Sequence, residues 1–142
     1  MVIKFFVVGF ITVFLSAASA QSSMLVKIEG LREAKGQLIV LVFNNADDFP
    51  TKKDNAVFSK KVSVTGPTME IVFDKVPSGT YGIAVYHDEN MNGAMDRHWY
   101  GPPKEGYGAS NDAKGTFGPP KFDDAKFDVN GTQTTVKIII HY

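Results

Sequence analysis

The residues best suited to chemistry lie between Tyr86 and Pro120, in the run YHDENMNGAMDRHWYGPPKEGYGASNDAKGTFGPP. Within it, Asp88, Asn90 and Asn92 alternate, Gly93 follows, and Asp96 comes three residues later. Calcium takes six to eight oxygen ligands, and alternate side chains on a tightly curled segment can aim their oxygens at one centre. In that pattern Asp88, Asn90 and Asn92 supply side-chain oxygens and Gly93 permits the sharp turn. Ala94 offers its carbonyl, and Asp96 binds directly or through water. The pattern departs from a complete calcium loop at its last position, where a bidentate Glu is replaced by Trp99. Glu105, Asp112 or water must then complete the shell. A strand-like run precedes the segment, so it is not a helix-loop-helix hand. The competing reading is that Asp and Asn simply form side-chain turns along a loop that holds no metal. Magnesium suits the segment less well, because it seldom accepts an all-protein cage.

Other groups in the same stretch carry weaker signals. His87 and His98 flank the turn, and with Asp88 and Glu105 they could hold zinc or iron in a metal-dependent enzyme. No paired helical spacing supports that set, and His87 shares a strand face with Ile83 and Val85. A hydrogen-bonded structural histidine is the simpler reading. Ser110 lacks the second glycine of a nucleophile elbow, and no strand is expected to lead directly into it. Glu105 is a general base by type, with no partner named by the sequence. Trp99, Tyr100, Tyr107 and Phe117 either form a platform for a sugar, peptide or other small ligand or pack the loop down onto the body of the domain; the latter is the safer reading.

The elements that must position these groups read as strands. Met24–Glu29 alternates, with Met24, Val26 and Ile28 on one face. Gln37–Phe43 (QLIVLVF) is continuously apolar and rich in branched residues, as expected of a strand buried on both faces. Residues 57–65, 69–74 and 80–87 alternate again, the last with Tyr81, Ile83, Val85 and His87 on one side. Val76-Pro77-Ser78-Gly79 reads as a turn. Phe122–Val129 and Thr132–Tyr142 read as two strands joined at Asn130-Gly131 by a type I′ hairpin. That hairpin accounts for the glycosylation-like Asn130-Gly131-Thr132 without a sugar. The polar 46–55 segment reads as a solvated connection. About seven strands with no amphipathic helix predict an all-β fold, an antiparallel β-sandwich of immunoglobulin-like or prealbumin-like type with one long loop over 86–120.

Composition narrows the class. The 142 residues suit one domain. Residues 1–20 have the form of a cleaved signal peptide: Lys4, an apolar run from Phe5 to Leu15, and Ala18-Ser19-Ala20 before the cut. The apolar run is shorter than a membrane span requires. The expected mature domain is 21–142, periplasmic or secreted and without a membrane anchor. With no Cys there is neither a disulfide nor a lipid-bearing cysteine. Net charge is zero, and without Lys4 there are 14 basic residues against 15 acidic, which argues against nucleic acid as a partner.

Three runs, HDENMNGAMD, YGPPKEGYGASN and FGPPKFDDAKF, together resemble the bacterial family known as domain of unknown function 2141. The resemblance extends from the Val26-Lys27 strand to the last strand. Its signature, Gly-x-Pro-x-Glu-Gly-Tyr-Gly-x-Ser-Asn, stands without a gap at Gly101–Asn111. It implies an exported bacterial protein of one small domain and brings no assigned activity or catalytic residue. The short run Val76-Pro77-Ser78-Gly79-Thr80-Tyr81 is similar to prealbumin-like modules. The function that follows is a non-enzymatic binding or accessory module with a calcium-ordered loop, acting on an unknown protein or small ligand. The alternatives are a transition-metal enzyme using His87, Asp88, His98 and Glu105, and a structural module that binds no metal.

Overall fold

The computed structural model describes residues 11–15 and 21–142. Apart from 11–15, which have no regular structure, the expected signal peptide lies outside the described residues. Among the described residues there are eight strands: β1 Ser22–Glu29, β2 Gln37–Phe43, β3 Phe58–Ser63, β4 Met69–Val76, β5 Gly79–Asp88, β6 Gly106–Ala109, β7 Phe127–Val129 and β8 Gln133–Ile139. Among the described residues helix is confined to α1, Phe122–Ala125, and single 3-10 turns at Lys53–Asn55 and Ser110–Asp112.

The strands form two sheets dominated by antiparallel pairs. The first has the order β4-β1-β8, and the second the order β3-β2-β5-β6, with β7 also paired to β5. One pair departs from the expected antiparallel arrangement: β1 and β8 run parallel, from Ser23 opposite Gln133 to Glu29 opposite Ile139.

Side-chain alternation explains how the sheets meet. Met24, Val26 and Ile28 of β1 are fully buried, and they share one hydrophobic cluster with Leu38, Val40 and Val42 of β2 and Ile83 and Val85 of β5. Burying each such side chain contributes roughly 1.5–3 kcal/mol before entropy is counted. The other face of β2 presents Ile39, Leu41 and Phe43 to a second cluster with Phe49, Ala84, Ala113 and Ala125. Phe43 meets Phe49 edge-on at 5.7 Å, and Phe49 meets Phe122 at 5.8 Å. QLIVLVF is continuously apolar because both of its faces are covered.

Two expectations near the C-terminus are corrected. Phe122–Val129 is not one strand: α1 takes its first half, with Ala125 fully buried, and only Phe127–Val129 is extended. Asn130-Gly131 is not a hairpin, because β7 pairs with β5 while β8 pairs with β1 in the other sheet. Only Gly131 has a positive φ, +78°, whereas a type I′ turn needs two such residues. Val136 and Ile138 of β8 gain burial beside β1, which a continuation along β5 would not give them.

Strand β6 lies inside the segment expected to be loop. The second edge of β5 is divided: β7 pairs with Gly79–Tyr81, and β6 with Ala84–His87. Between them, the Ile83 N–H donates to Ser110 Oγ at 2.9 Å, and that hydroxyl donates to Ala125 O at 2.6 Å. Ser110 thus fills the break in the ladder. Glycines let β6 approach the end of β8. A Cβ at Gly106 would lie 2.5 Å from Ile140 Cγ2, and one at Gly108 would lie 2.4 Å from Ile139 O. Tyr107 and His141 exchange two backbone hydrogen bonds of 2.9 Å, so the chain end ties the two sheets together.

Candidate functional site

The candidate site begins where β5 ends. Asp88 is the last residue of that strand and is 1% exposed. Its Oδ1 accepts the Asn92 N–H at 3.1 Å, and its Oδ2 accepts the Gly93 N–H at 2.8 Å. Gln37, opposite it on β2, donates Nε2–H to Oδ2 at 2.8 Å. Met91 (φ +58°) and Gly93 (φ +77°) take left-handed conformations, which curl the backbone around that carboxylate. The cost of this conformation is nil for glycine and real for Met91.

The curl brings the remaining oxygen-bearing side chains together. Asn92 Nδ2–H reaches Asp96 Oδ1 at 3.0 Å, and Asn90 Nδ2–H reaches Asp96 Oδ2 at 2.5 Å. Asn90 Oδ1 accepts the Asn92 N–H at 3.2 Å, and Asn92 Oδ1 accepts the Ala94 N–H at 2.9 Å. Asp88, Asn90, Asn92 and Asp96 are therefore members of one connected turn. As a donor set they offer two carboxylates and two amides, hard oxygen donors of the kind calcium takes. Both amides now aim nitrogen at Asp96 while their oxygens accept the Asn92 and Ala94 N–H groups, so turning an oxygen inward would give up one of these backbone bonds.

Glu105 joins this turn from the far side. The chain leaves Asp96 in a narrow antiparallel arm, with the His98 N–H on Pro102 O at 2.9 Å and the Lys104 N–H on Asp96 O at 2.8 Å. The arm returns Glu105, 5% exposed, beneath the turn. Its Oε1 accepts the Glu89 N–H at 3.0 Å, and its Oε2 accepts the Asp96 N–H at 3.1 Å. One carboxylate thus clamps both ends of the turn.

The four groups considered for a transition metal are held apart in role. His87 is fully buried between Lys35 O, 2.8 Å from Nε2, and the Tyr142 hydroxyl, 2.6 Å from Nδ1. The carbonyl can only accept, so Nε2 carries a proton and both ring nitrogens are engaged. His98 stacks on Tyr100 with ring centres 5.0 Å apart. Among the described residues no three His, Cys, Asp or Glu side chains gather at one possible metal centre.

Strand β6 does lead directly into Ser110, contrary to the expectation from sequence. The residue is fully buried, however, and its hydroxyl is consumed by β5 and α1. His141 Nε2–H donates to Asp112 Oδ1 at 2.6 Å. That bond first holds the Asp112 carboxyl below its ordinary range, opposed next by burial and helped by the nearby charges of His141 and Lys114.

The aromatics do not behave as one cover. Trp99 is 96% exposed and Phe117 fully so, which corrects the expectation that they pack down on the domain. Tyr100, Tyr107 and Phe117, but not Trp99, line a cavity of about 600 Å³ on the outer face of the second sheet. Tyr86, whose hydroxyl donates to Pro50 O at 2.8 Å, is part of its lining. Burial pushes the Tyr86 phenol up, partly offset by Arg97. Sequence reasoning missed Gln37, Tyr86 and Arg97. Gln37 had a usable signal, as the one polar residue at the head of an apolar run. Arg97 had none, because its significance depends on the arm folding back.

No curated protein and no solved structure matches the chain. The segment 26–137, which holds the turn, the arm and Ser110, matches the sequence profile of the family described as "Uncharacterized protein conserved in bacteria (DUF2141)". The chain belongs to that family.

Proposed function

We propose that this protein is an exported, non-enzymatic binding module whose Asp88–Asp96 turn takes up calcium. The observation that carries the reading is the convergence of Asp88, Asn90, Asn92 and Asp96 in one turn, curled by Met91 and Gly93. Ala94 adds its carbonyl, and water completes the shell where Trp99 replaces the usual final carboxylate. Glu105 holds the backbone of the turn from below and is available as a further ligand.

The non-enzymatic part is supported by the occupation of the reactive groups: both ring nitrogens of His87 and the Ser110 hydroxyl serve the fold. A β-sandwich is supported by the cluster that residues of both sheets share. Export is supported by Lys4, the apolar run after it and Ala18-Ser19-Ala20.

Thermal unfolding in calcium and in chelator tests the metal reading. A ligand at 100 times its dissociation constant stabilises by about 2.7 kcal/mol. For a domain of roughly 120 residues that is a rise of about 10 °C in midpoint. Asp96→Ala should abolish the rise. An equal midpoint in saturating calcium and in chelator overturns the proposal.

A further inference from the structure

The cavity on the outer face of the second sheet has a floor of Ala84 and Tyr86 from β5 and Tyr107 from β6. Its walls come from three separate segments: Pro50-Thr51, the arm from Met95 to Pro103, and the turn from Gly115 to Pro120. Its volume of about 600 Å³ is in the range of small-molecule sites. Such sites are mostly apolar and carry a few polar groups that fix orientation. Here the apolar part is supplied by tyrosine rings, prolines and Met95.

Charge is distributed unequally in it. Arg97 is the one charged residue of the lining, and no Asp or Glu lines the cavity. The Arg97 guanidinium makes one hydrogen bond, Nη1–H to Gly101 O at 3.2 Å, and is in no salt bridge among the described residues. A guanidinium has five N–H donors in a planar fork that matches a carboxylate, so most of its capacity is unused. An uncompensated cation in a concave aromatic site favours an anion attached to an apolar body.

The geometry points to a binding site for a small apolar carboxylate, a flat ring system with one acid group. The ring system lies on Tyr86 and Tyr107, and the carboxylate meets Arg97. Phe117 belongs to the lining and is fully exposed, so its ring stands at the rim. The cavity shares Met95 with the Asp88–Asp96 turn, but none of the oxygen-bearing side chains of that turn lines it.

The test compares 2-naphthoate with its neutral isostere 2-naphthamide, by titration calorimetry and by amide chemical-shift mapping of the full chain. The charged compound should bind at least tenfold more tightly and shift the amides of Ala84, Tyr86, Arg97 and Tyr107. Arg97→Gln should equalise the two compounds, and Arg97→Lys should keep part of the difference. Arg97 is exposed, so both variants should retain the wild-type amide spectrum elsewhere. Phe117→Ser should weaken both compounds alike. Failure of naphthoate to bind at millimolar concentration overturns the inference. So does equal affinity for the two compounds, a preference that survives Arg97→Gln, or shifts confined to another surface. Binding at this cavity of an uncharged, end-blocked proline-rich peptide but not of naphthoate overturns it as well.

Discussion

Replacing Glu105 with glutamine separates its role as a backbone clamp from its candidacy as a metal ligand. The carboxylate is buried and accepts the N–H groups of Glu89 and Asp96 through different oxygens, at 3.0 and 3.1 Å. Gln can accept only one of these through its oxygen. Its NH2 then faces the other N–H, donor against donor. A hydrogen bond to a charged acceptor contributes about 1.5–3 kcal/mol, and a buried donor left unpaired costs about as much as the bond gave. Glu105→Gln should therefore cost about 2–3 kcal/mol. With an unfolding entropy near 2.1 cal/mol/K per residue, that corresponds to a fall of about 8–12 °C for roughly 120 residues. The assay is thermal unfolding in chelator, with amide hydrogen exchange at Glu89 and Asp96 alongside. A fall below about 2 °C with unchanged exchange at both amides would refute the clamp. Repeating the melt in calcium then assigns the second role. A calcium increment equal to that of wild type makes Glu105 a clamp alone, and a lost increment makes it a ligand.

Two further outcomes follow from bonds outside the turn. Ser110→Ala leaves the buried Ile83 N–H and Ala125 carbonyl without their partner, so stability in urea should fall by about 2–4 kcal/mol; a loss under about 0.5 kcal/mol would contradict the ladder-filling role. The Asp112 carboxyl is held below its ordinary value of 3.8 by His141, so its folded form favours ionisation. That contribution is fully present above pH 3.8 and disappears as pH falls through the lower folded value. The midpoint lead of wild type over Asp112→Asn should accordingly be complete near pH 6 and shrink below pH 3.8, and a lead that is constant across this range would exclude the linkage.

The parts of the fold visible in the sequence are those governed by local period. Met24, Val26 and Ile28, and the run QLIVLVF, carry their burial in their spacing, because a strand exposes one face every two residues. Strand β6 was not visible because Gly-Tyr-Gly-Ala has little apolar alternation. Its glycines answer to the Ile140 and Tyr142 side chains and to the Ile139 carbonyl, some thirty residues on, and not to their neighbours. Asn130-Gly131 misled for a related reason. Local turn chemistry allows a hairpin there, but the choice of sheet for β8 is set by the apolar face waiting beside β1. Likewise the alternating Asp and Asn announced a curled turn, while the clamp beneath it depends on an arm that no short motif encodes. Trp99 and Phe117 were expected to cover the domain by their size, yet the cover is made by prolines and half-buried tyrosines.

The turn and the cavity are joined by covalent proximity. Asp96 is the last oxygen-bearing residue of the turn, Met95 and Arg97 on either side of it line the cavity, and Lys104 returns its N–H to the Asp96 carbonyl beside Glu105. The arm between them therefore has its base fixed at the turn and at the clamp. Its tip, Trp99 to Gly101, is free of such ties except through the Gly101 N–H to His98 O and the Arg97 contact. The hydrogen bonds of the narrow arm hold its two sides together between the turn and Arg97. Floor and wall differ in this respect: Ala84, Tyr86 and Tyr107 are set by the sheet register, whereas the position of Arg97 is set by the Asp88–Asp96 turn and by Glu105.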